Sequence, residues 1–185
     1  MNHILHIKNM VCNRCKMTII NLLDDEGFEV ESIQLGKIVV KEQSSDDYVR
    51  LETQLNALGF EVIKDPTKAL IEKIKINLIQ HIEKNETDEI LGKLESEIGK
   101  SYSTLSKTFS KSEGITLEKY FINLKIEKAK EYIQLNQLNF SEIAYNLNYK
   151  NSSHLSKQFK QVTGMSMTDY KSLQYGDRKS LDEIV

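Results

Sequence analysis

Cys12 and Cys15 are the two cysteines of this 185-residue chain, and they stand in the run Met10-Val11-Cys12-Asn13-Arg14-Cys15. Thiols separated by two residues can converge on one ion, and soft sulfur ligands select Cu(I), Zn(II) or another soft divalent ion. A helix beginning beside them, with Arg14 and Lys16 close by, lowers the thiol pKa and favours the anion that metals bind. Two ligands suffice for near-linear Cu(I), whereas zinc takes four, and the loop supplies no Asp or Glu. The spacing therefore favours Cu(I). The competing chemistry is thiol-disulfide exchange, in which a Cys-x-x-Cys pair also opens a helix after a strand. That chemistry needs a cis-proline facing the thiols, but the chain's one proline, Pro66, lies beyond the last strand, and there is no tryptophan before the pair. His3 and His6 do not complete a metal set, because three positions apart on a strand they face opposite sides of the sheet.

A second pattern lies in the other half of the chain. Leu105 to Tyr120 returns, altered but ungapped, as Leu155 to Tyr170. Leu105/Leu155, Ser106/Ser156, Lys107/Lys157, Phe109/Phe159, Gly114/Gly164 and Tyr120/Tyr170 all match at one offset of 50 residues. Two copies of one unit are implied. In each, the Leu and Phe share a helical face, the Ser-Lys pair between them turns outward, and the Gly ends the helix. Charge follows the repeat. The whole chain carries −2, but residues 1–65 carry −4 and residues 66–185 carry +2, and between Lys100 and Gln161 there are 10 Lys against 5 Glu.

The elements that must position these residues can be read from periodicity. His3 to Lys8 alternates as a half-buried strand with Leu5 and Ile7 on one face. The thiol loop follows, then a helix carrying Ile19, Ile20, Leu22 and Leu23 that stops at Gly27. Phe28 to Leu35 and Lys37 to Glu42 read as strands joined at Gly36-Lys37. Ser44 to Asp47 caps a helix with the stripe Tyr48, Leu51, Leu55 and Leu58, Gly59 ends it, and Phe60 to Lys64 is a last strand. The order is βαββαβ, a split-βαβ sandwich. Asp65-Pro66-Thr67 then starts a helix with Leu70, Ile74, Leu78 and Ile82 along one face. Thr87 caps a further helix, Gly99 turns the chain, and Ser101 or Tyr102 begins the first repeated helix. A long helix from Thr116 to about Gln134 leads to a short one capped by Ser141 and to the second repeated helix, capped by Asn151. Each repeated helix thus ends a helix-turn-helix.

Composition sets limits on function. With 39% apolar and 28% charged residues, the chain suits one ordinary domain or two small ones. No apolar run approaches the ~20 residues that span a bilayer, and the alternating N-terminus is unlike a signal peptide. A cytoplasmic location without membrane association is expected, and two cysteines make no disulfide framework.

Residues 1–65 resemble the heavy-metal-associated domain, in element order and in the Met10-Val11-Cys12-Asn13-Arg14-Cys15 motif between first strand and first helix. The resemblance implies a ferredoxin-like fold, Cys12 and Cys15 as metal ligands, Met10 as a buried prop beneath the loop, and Phe60 packed behind the site. Residues 68 to about 173, within a domain read as 66–173, resemble the double helix-turn-helix DNA-binding domain of the AraC family. The resemblance rests on Ser141-Glu142-Ile143-Ala144, Leu155-Ser156-Lys157-Gln158-Phe159-Lys160 with Gly164, and Lys125-Ile126-Glu127-Lys128-Ala129. Met167 stands where the family has Pro, and Lys171 where it has Arg. Residues 174–185 are read as a tail. The expected class is α+β, a ferredoxin-like domain followed by an all-α one.

The AraC resemblance implies double-stranded DNA as partner. A recognition helix sets its N-terminal outward residues at base edges, here Ser103, Thr104, Ser106 and Lys107 in the first copy and Ser152, Ser153, Ser156 and Lys157 in the second. Lys100, Lys111 and Lys160 suit phosphates. His154 sits on the second of these helices and could contact DNA, but it reads rather as a partly buried histidine. Together the two halves describe a metal-responsive transcription regulator rather than an enzyme, acting as a monomer or as a homodimer sharing one metal. The alternative is an intracellular metal chaperone or buffer whose helical half docks a protein.

Overall fold

The computed structural model describes residues 2–86, 90–173, 179 and 184. The chain divides into two compact units, Met1–Ile76 and Asn77–Val185.

In the first unit the alternating N-terminus forms β1 (Asn2–Lys8), with Leu5 and Ile7 buried and Ile4 exposed. Then come α1 (Asn13–Asp25), β2 (Val30–Gln34), β3 (Lys37–Lys41), α2 (Ser45–Ala57) and β4 (Glu61–Ile63). The sheet order is β2-β3-β1-β4, and every pairing is antiparallel. Leu5 opposite Ile38 places two apolar side chains on one face. Ile19, Leu22 and Leu23 of α1 and Leu51 and Leu55 of α2 cover that face in a single core.

Two details differ from expectation. Gln34 pairs with Lys37, so the hairpin loop is Leu35-Gly36 rather than Gly36-Lys37. Gly36 has a φ of +74°, the left-handed region that favours glycine, and a Cβ there would lie 2.5 Å from the tip of the Ile76 side chain, which would have to swing aside. Leu58, expected in the apolar stripe of α2, is instead its C-cap and is half exposed, because the helix already ends at Ala57.

Helix α3 (Pro66–Glu83) begins as expected. The Asp65 carboxylate accepts the N–H groups of Thr67 at 2.7 Å and Lys68 at 2.9 Å, which holds its ionisation below the usual carboxylate value, Lys68 contributing most. Its apolar face is broader than the four-residue stripe suggested: Ile71, Ile74, Ile76, Leu78, Ile79 and Ile82 are all buried, and Leu70 only partly so. The division between units falls inside this helix, after Ile76, and not at the joint after Asp65.

The second unit holds α4 (Ile90–Ile98), α5 (Tyr102–Glu113), α6 (Leu117–Leu135), α7 (Phe140–Asn146), α8 (Ser152–Thr163) and α9 (Met167–Ser172). The cap expected at Thr87, and most of the tail 174–185, lie outside the described residues. Helix α6 is the hub, touching α5, α7, α8 and α9, and it buries Leu117, Tyr120, Phe121, Leu124, Ala129 and Ile133. Helix α7 starts two residues earlier than expected. Asn139 caps it by accepting the N–H groups of Ser141 and Glu142 at 3.0 Å each, while Glu142 accepts the Asn139 N–H at 2.7 Å. Helix α9 forms with Met167 at the position of the family's Pro, held by a Ser166–Asp169 capping box. Among the described residues no helix is long and apolar enough to cross a membrane.

Candidate functional site

The thiol pair sits where β1 hands over to α1. Cys12 is the N-cap, its sulfur accepting the Cys15 N–H at 3.5 Å. Because the helix begins at Asn13, Cys15 lies in its first turn rather than in the loop. The two free, partly buried sulfurs face each other at 3.2 Å. Burial pushes the Cys12 thiol up, but the Cys15 and Arg14 N–H groups, the Cys15 thiol and the Arg14 charge outweigh it, leaving Cys12 below the ordinary value. Burial and the bond to Cys12 hold Cys15 above it. Cys12 is thus the readier thiolate.

Met10 is fully buried, and it and Phe60, just ahead of β4, belong to the core against which Cys15 packs. The shoulder of the loop is clamped as well. Asn9, at a φ of +68°, gives its backbone N–H to the buried Glu72 carboxylate of α3 at 2.8 Å and its side-chain amide to the Gly59 carbonyl at 3.0 Å. Among the described residues no group of three or more His, Cys, Asp or Glu could hold a metal. The donor set within one chain is the two sulfurs, which suits a soft ion of low coordination number.

The repeated helices agree beyond sequence. Residues 101–109 and 151–159 carry one burial pattern, position for position. Leu105, Phe109, Leu155 and Phe159 are fully buried. Ser103, Thr104, Lys107, Ser153 and Lys157 are exposed, as are Lys100, Lys111 and Lys160. Among the described residues none of these five lysines forms an ion pair.

Ser106, Ser152 and Ser156 are only partly exposed. The Ser156 hydroxyl donates to the Met167 sulfur at 3.4 Å, turned toward α9. Its position explains this: one residue after a buried Leu and three before a buried Phe is the flank of the apolar face, not its opposite. Ser106 stands on the same flank.

His154 is exposed, not partly buried as the sequence suggested, and its ring stands edge-on to Tyr149, with centroids 5.3 Å apart and planes at 82°. Tyr149 occupies the turn between α7 and α8. Lys125 of α6 also reaches it: its Nζ donates to the Leu147 carbonyl at 2.9 Å and lies 3.9 Å from the Tyr149 ring centroid. Burial lowers the Lys125 pKa to about 8, and burial pushes the Tyr149 pKa above the usual phenol value, keeping it neutral. The signal for His154 was available, since the offset of 50 places it at Thr104, an outward position.

Residues 94–172 match the family described as a helix-turn-helix domain. The C-terminal domain of AraT, a response regulator from Geobacillus stearothermophilus, is 20% identical with a TM-score of 0.52, the match covering 63% of this chain and 93% of that one. The C-terminal domain of the two-component response regulator yesN from Fusobacterium nucleatum is 26% identical with a TM-score of 0.46, covering 51% and 95%. The DNA-binding domain of AdpA, a global transcriptional factor seen in complex with a target DNA, is 16% identical with a TM-score of 0.47, covering 59% and 92%. Among curated proteins none matches. The helical unit thus contains a helix-turn-helix domain and shares its fold with the C-terminal domain of AraT.

Proposed function

We propose that this chain is a cytoplasmic, metal-responsive transcription regulator that reads double-stranded DNA through α5 and α8. Its first unit acts as a heavy-metal-associated module of ferredoxin-like type. The observation that carries the DNA reading is the repetition: two N-capped helices with one burial pattern, each presenting exposed Ser and Lys, inside a matched helix-turn-helix domain. A helix in the major groove meets base edges with such N-terminal residues. Ser103, Thr104, Lys107, Ser153 and Lys157 are the base-facing set, and Lys100, Lys111 and Lys160 hold phosphates.

Cys12 and Cys15 would hold the metal, with Met10 and Phe60 packed behind them. Cu(I) is favoured over Zn(II), because two sulfurs satisfy it and a four-sulfur zinc site would need a second copy of the chain. A soft ion bound there would supply Lewis-acid character, with Cys12 and Cys15 as its ligands. The chain's part is to keep Cys12 readily ionised at the helix end and to hold the loop between Asn9 and α1.

Anisotropy titrations of selected DNA against the full chain, with and without Cu(I), test the whole reading. Affinity should change with the metal by an amount equivalent to about 1 to 3 kcal/mol, and linkage requires the DNA to shift metal affinity equally. The Cys12→Ser/Cys15→Ser double variant should bind DNA without any metal response. DNA binding that never responds to Cu(I) or Zn(II) would remove the sensing half of the proposal, and no binding to any duplex would remove the rest.

A further inference from the structure

In the first two turns of α5 and α8 the exposed residues correspond except at one place. Ser103 matches Ser153 and Lys107 matches Lys157, but between them Thr104 is answered by His154, and all six are exposed. What holds the two odd residues also differs. The Thr104 hydroxyl lies 2.8 Å from the hydroxyl of the cap Ser101, a local bond that keeps a small group close to the helix end. The His154 ring stands against Tyr149, and Tyr149 is itself backed by the Lys125 ammonium and by the bond from that ammonium to the Leu147 carbonyl. The position in the first copy that corresponds to Tyr149 is Gly99, which has no side chain to supply such a shelf.

We infer that His154 reads a base pair in the second half-site that the first recognition helix does not read, with Tyr149 and Lys125 as positioning residues behind it. The inference rests on the DNA-binding reading above. His154 lies in the N-terminal turn of α8, the part of a recognition helix that faces base edges. An imidazole N–H donates well to the N7 and O6 acceptors that guanine presents in the major groove. A threonine at the same place offers a hydroxyl that suits several bases and a methyl that suits thymine. The two half-sites share the pairs that face the common Ser and Lys and differ at the one pair facing His154 or Thr104, where the second half-site carries guanine.

Selection from a randomised duplex library with the full chain, followed by affinities for the selected sequence and its single-base variants, tests this. Replacing the guanine opposite His154 should weaken wild-type binding about tenfold. His154→Thr should abolish that penalty and give the pair the preference of the first half-site, with affinity for random DNA and salt dependence unchanged. Tyr149→Phe should keep the penalty, because the Tyr149 hydroxyl has no hydrogen-bond partner among the described residues. Tyr149→Leu should shrink the penalty at that pair alone. An unchanged preference in His154→Thr overturns the inference while leaving DNA recognition standing, and so does loss of preference at many pairs at once, which would mark His154 as structural. If the wild type selects no sequence at all, the DNA-binding reading fails and this inference with it.

Discussion

The two helix-turn-helix copies share their second helix and differ in their turn. Helices α5 and α8 have the same length, the same buried Leu and Phe, and the same left-handed Gly at the C-cap. The first copy passes from α4 through Gly99 at a φ of +79° to Ser101, whereas the second ends α7 early and passes through Asn148 at a φ of +53° and the buried Tyr149. The copies agree where packing against α6 dictates the residue type and diverge where the chain turns. A turn has more than one solution for the same helix pair, and here the second solution brings an aromatic ring and a buried cation to the start of the recognition helix.

The largest effect should come from the shared core. Phe109 and Phe159 are both fully buried, the first against Tyr120 at 5.1 Å between centroids and the second against Tyr170 at 5.5 Å. Phe109→Ala and Phe159→Ala should each cost about 3 to 5 kcal/mol in urea unfolding. Near-equal losses would confirm that the copies are packed alike. A loss at Phe159 less than half that at Phe109 would show that the second copy collapses around the cavity and is the looser of the two.

How far this comparison was legible in the sequence depends on the residue. The offset of 50 residues, the Gly C-caps and the Asn151 cap can be read directly, because apolar spacing and cap chemistry are local. The αββαβ run after β1 could be read for the same reason. The cap at Asn139 was missed because Ser141 is an equally good capping residue, and only the backbone path decides between them. The division inside α3 was missed because a helix that is apolar on two faces still contains a regular four-residue stripe. Ser156 was read as outward from its neighbour Lys157, although its distance from Leu155 and Phe159 already puts it on the flank. The burial of Lys125 left no local trace: a lysine in an amphipathic helix ordinarily carries its charge to water along its own stem, and what keeps this one inside is the Leu147 carbonyl and the Tyr149 ring, both more than twenty residues away.

That cation gives the second copy a pH dependence of its own. The folded Lys125 pKa of about 8 lies below its ordinary 10.5, so between those values the unfolded chain binds more protons than the folded one. The stability contributed by this group is therefore full above about pH 10.5 and is lost as pH falls through about 8. The Tyr149 ring and the Leu147 carbonyl favour the ammonium and oppose part of the shift. Relative to Lys125→Met, the wild type should gain about 1 to 3 kcal/mol between pH 8 and 10.5. Parallel denaturation curves for the two proteins across that range would show that the cation is not held as the geometry indicates.

The outward lysines sharpen the comparison at the DNA. Lys107→Ala and Lys157→Ala occupy corresponding positions and should each weaken binding to the selected sequence by about 1 to 3 kcal/mol, relaxing preference at one half-site. Lys160 corresponds to Ser110, so a phosphate contact there would belong to the second copy alone. Lys160→Ala should weaken all sequences alike and lower the salt slope by about one. If Lys157 and Lys160 change affinity equally for selected and random DNA, Lys157 contacts phosphate and not a base.

The smallest effect separates the copies at their caps. The Asn151 side chain accepts the His154 N–H at 2.8 Å, a full hydrogen bond to the helix terminus. The Ser101 hydroxyl accepts the Thr104 N–H at 3.4 Å and also lies 3.3 Å from the Ser103 hydroxyl and 2.8 Å from that of Thr104. Its acceptor capacity is shared, and its bond to the backbone is the longer one. An N-cap replaced by Ala costs about 0.5 to 2 kcal/mol. Asn151→Ala should fall in the upper half of that range and Ser101→Ala in the lower, because Thr104 can turn its own hydroxyl toward the freed helix end while His154, held against Tyr149, cannot. Thermal melts of the two variants and of the double variant Ser101→Ala/Thr104→Val decide the matter. If the double variant is no less stable than Ser101→Ala alone, the Thr104 hydroxyl does not substitute for the cap, and the difference between the copies reduces to the length of one hydrogen bond.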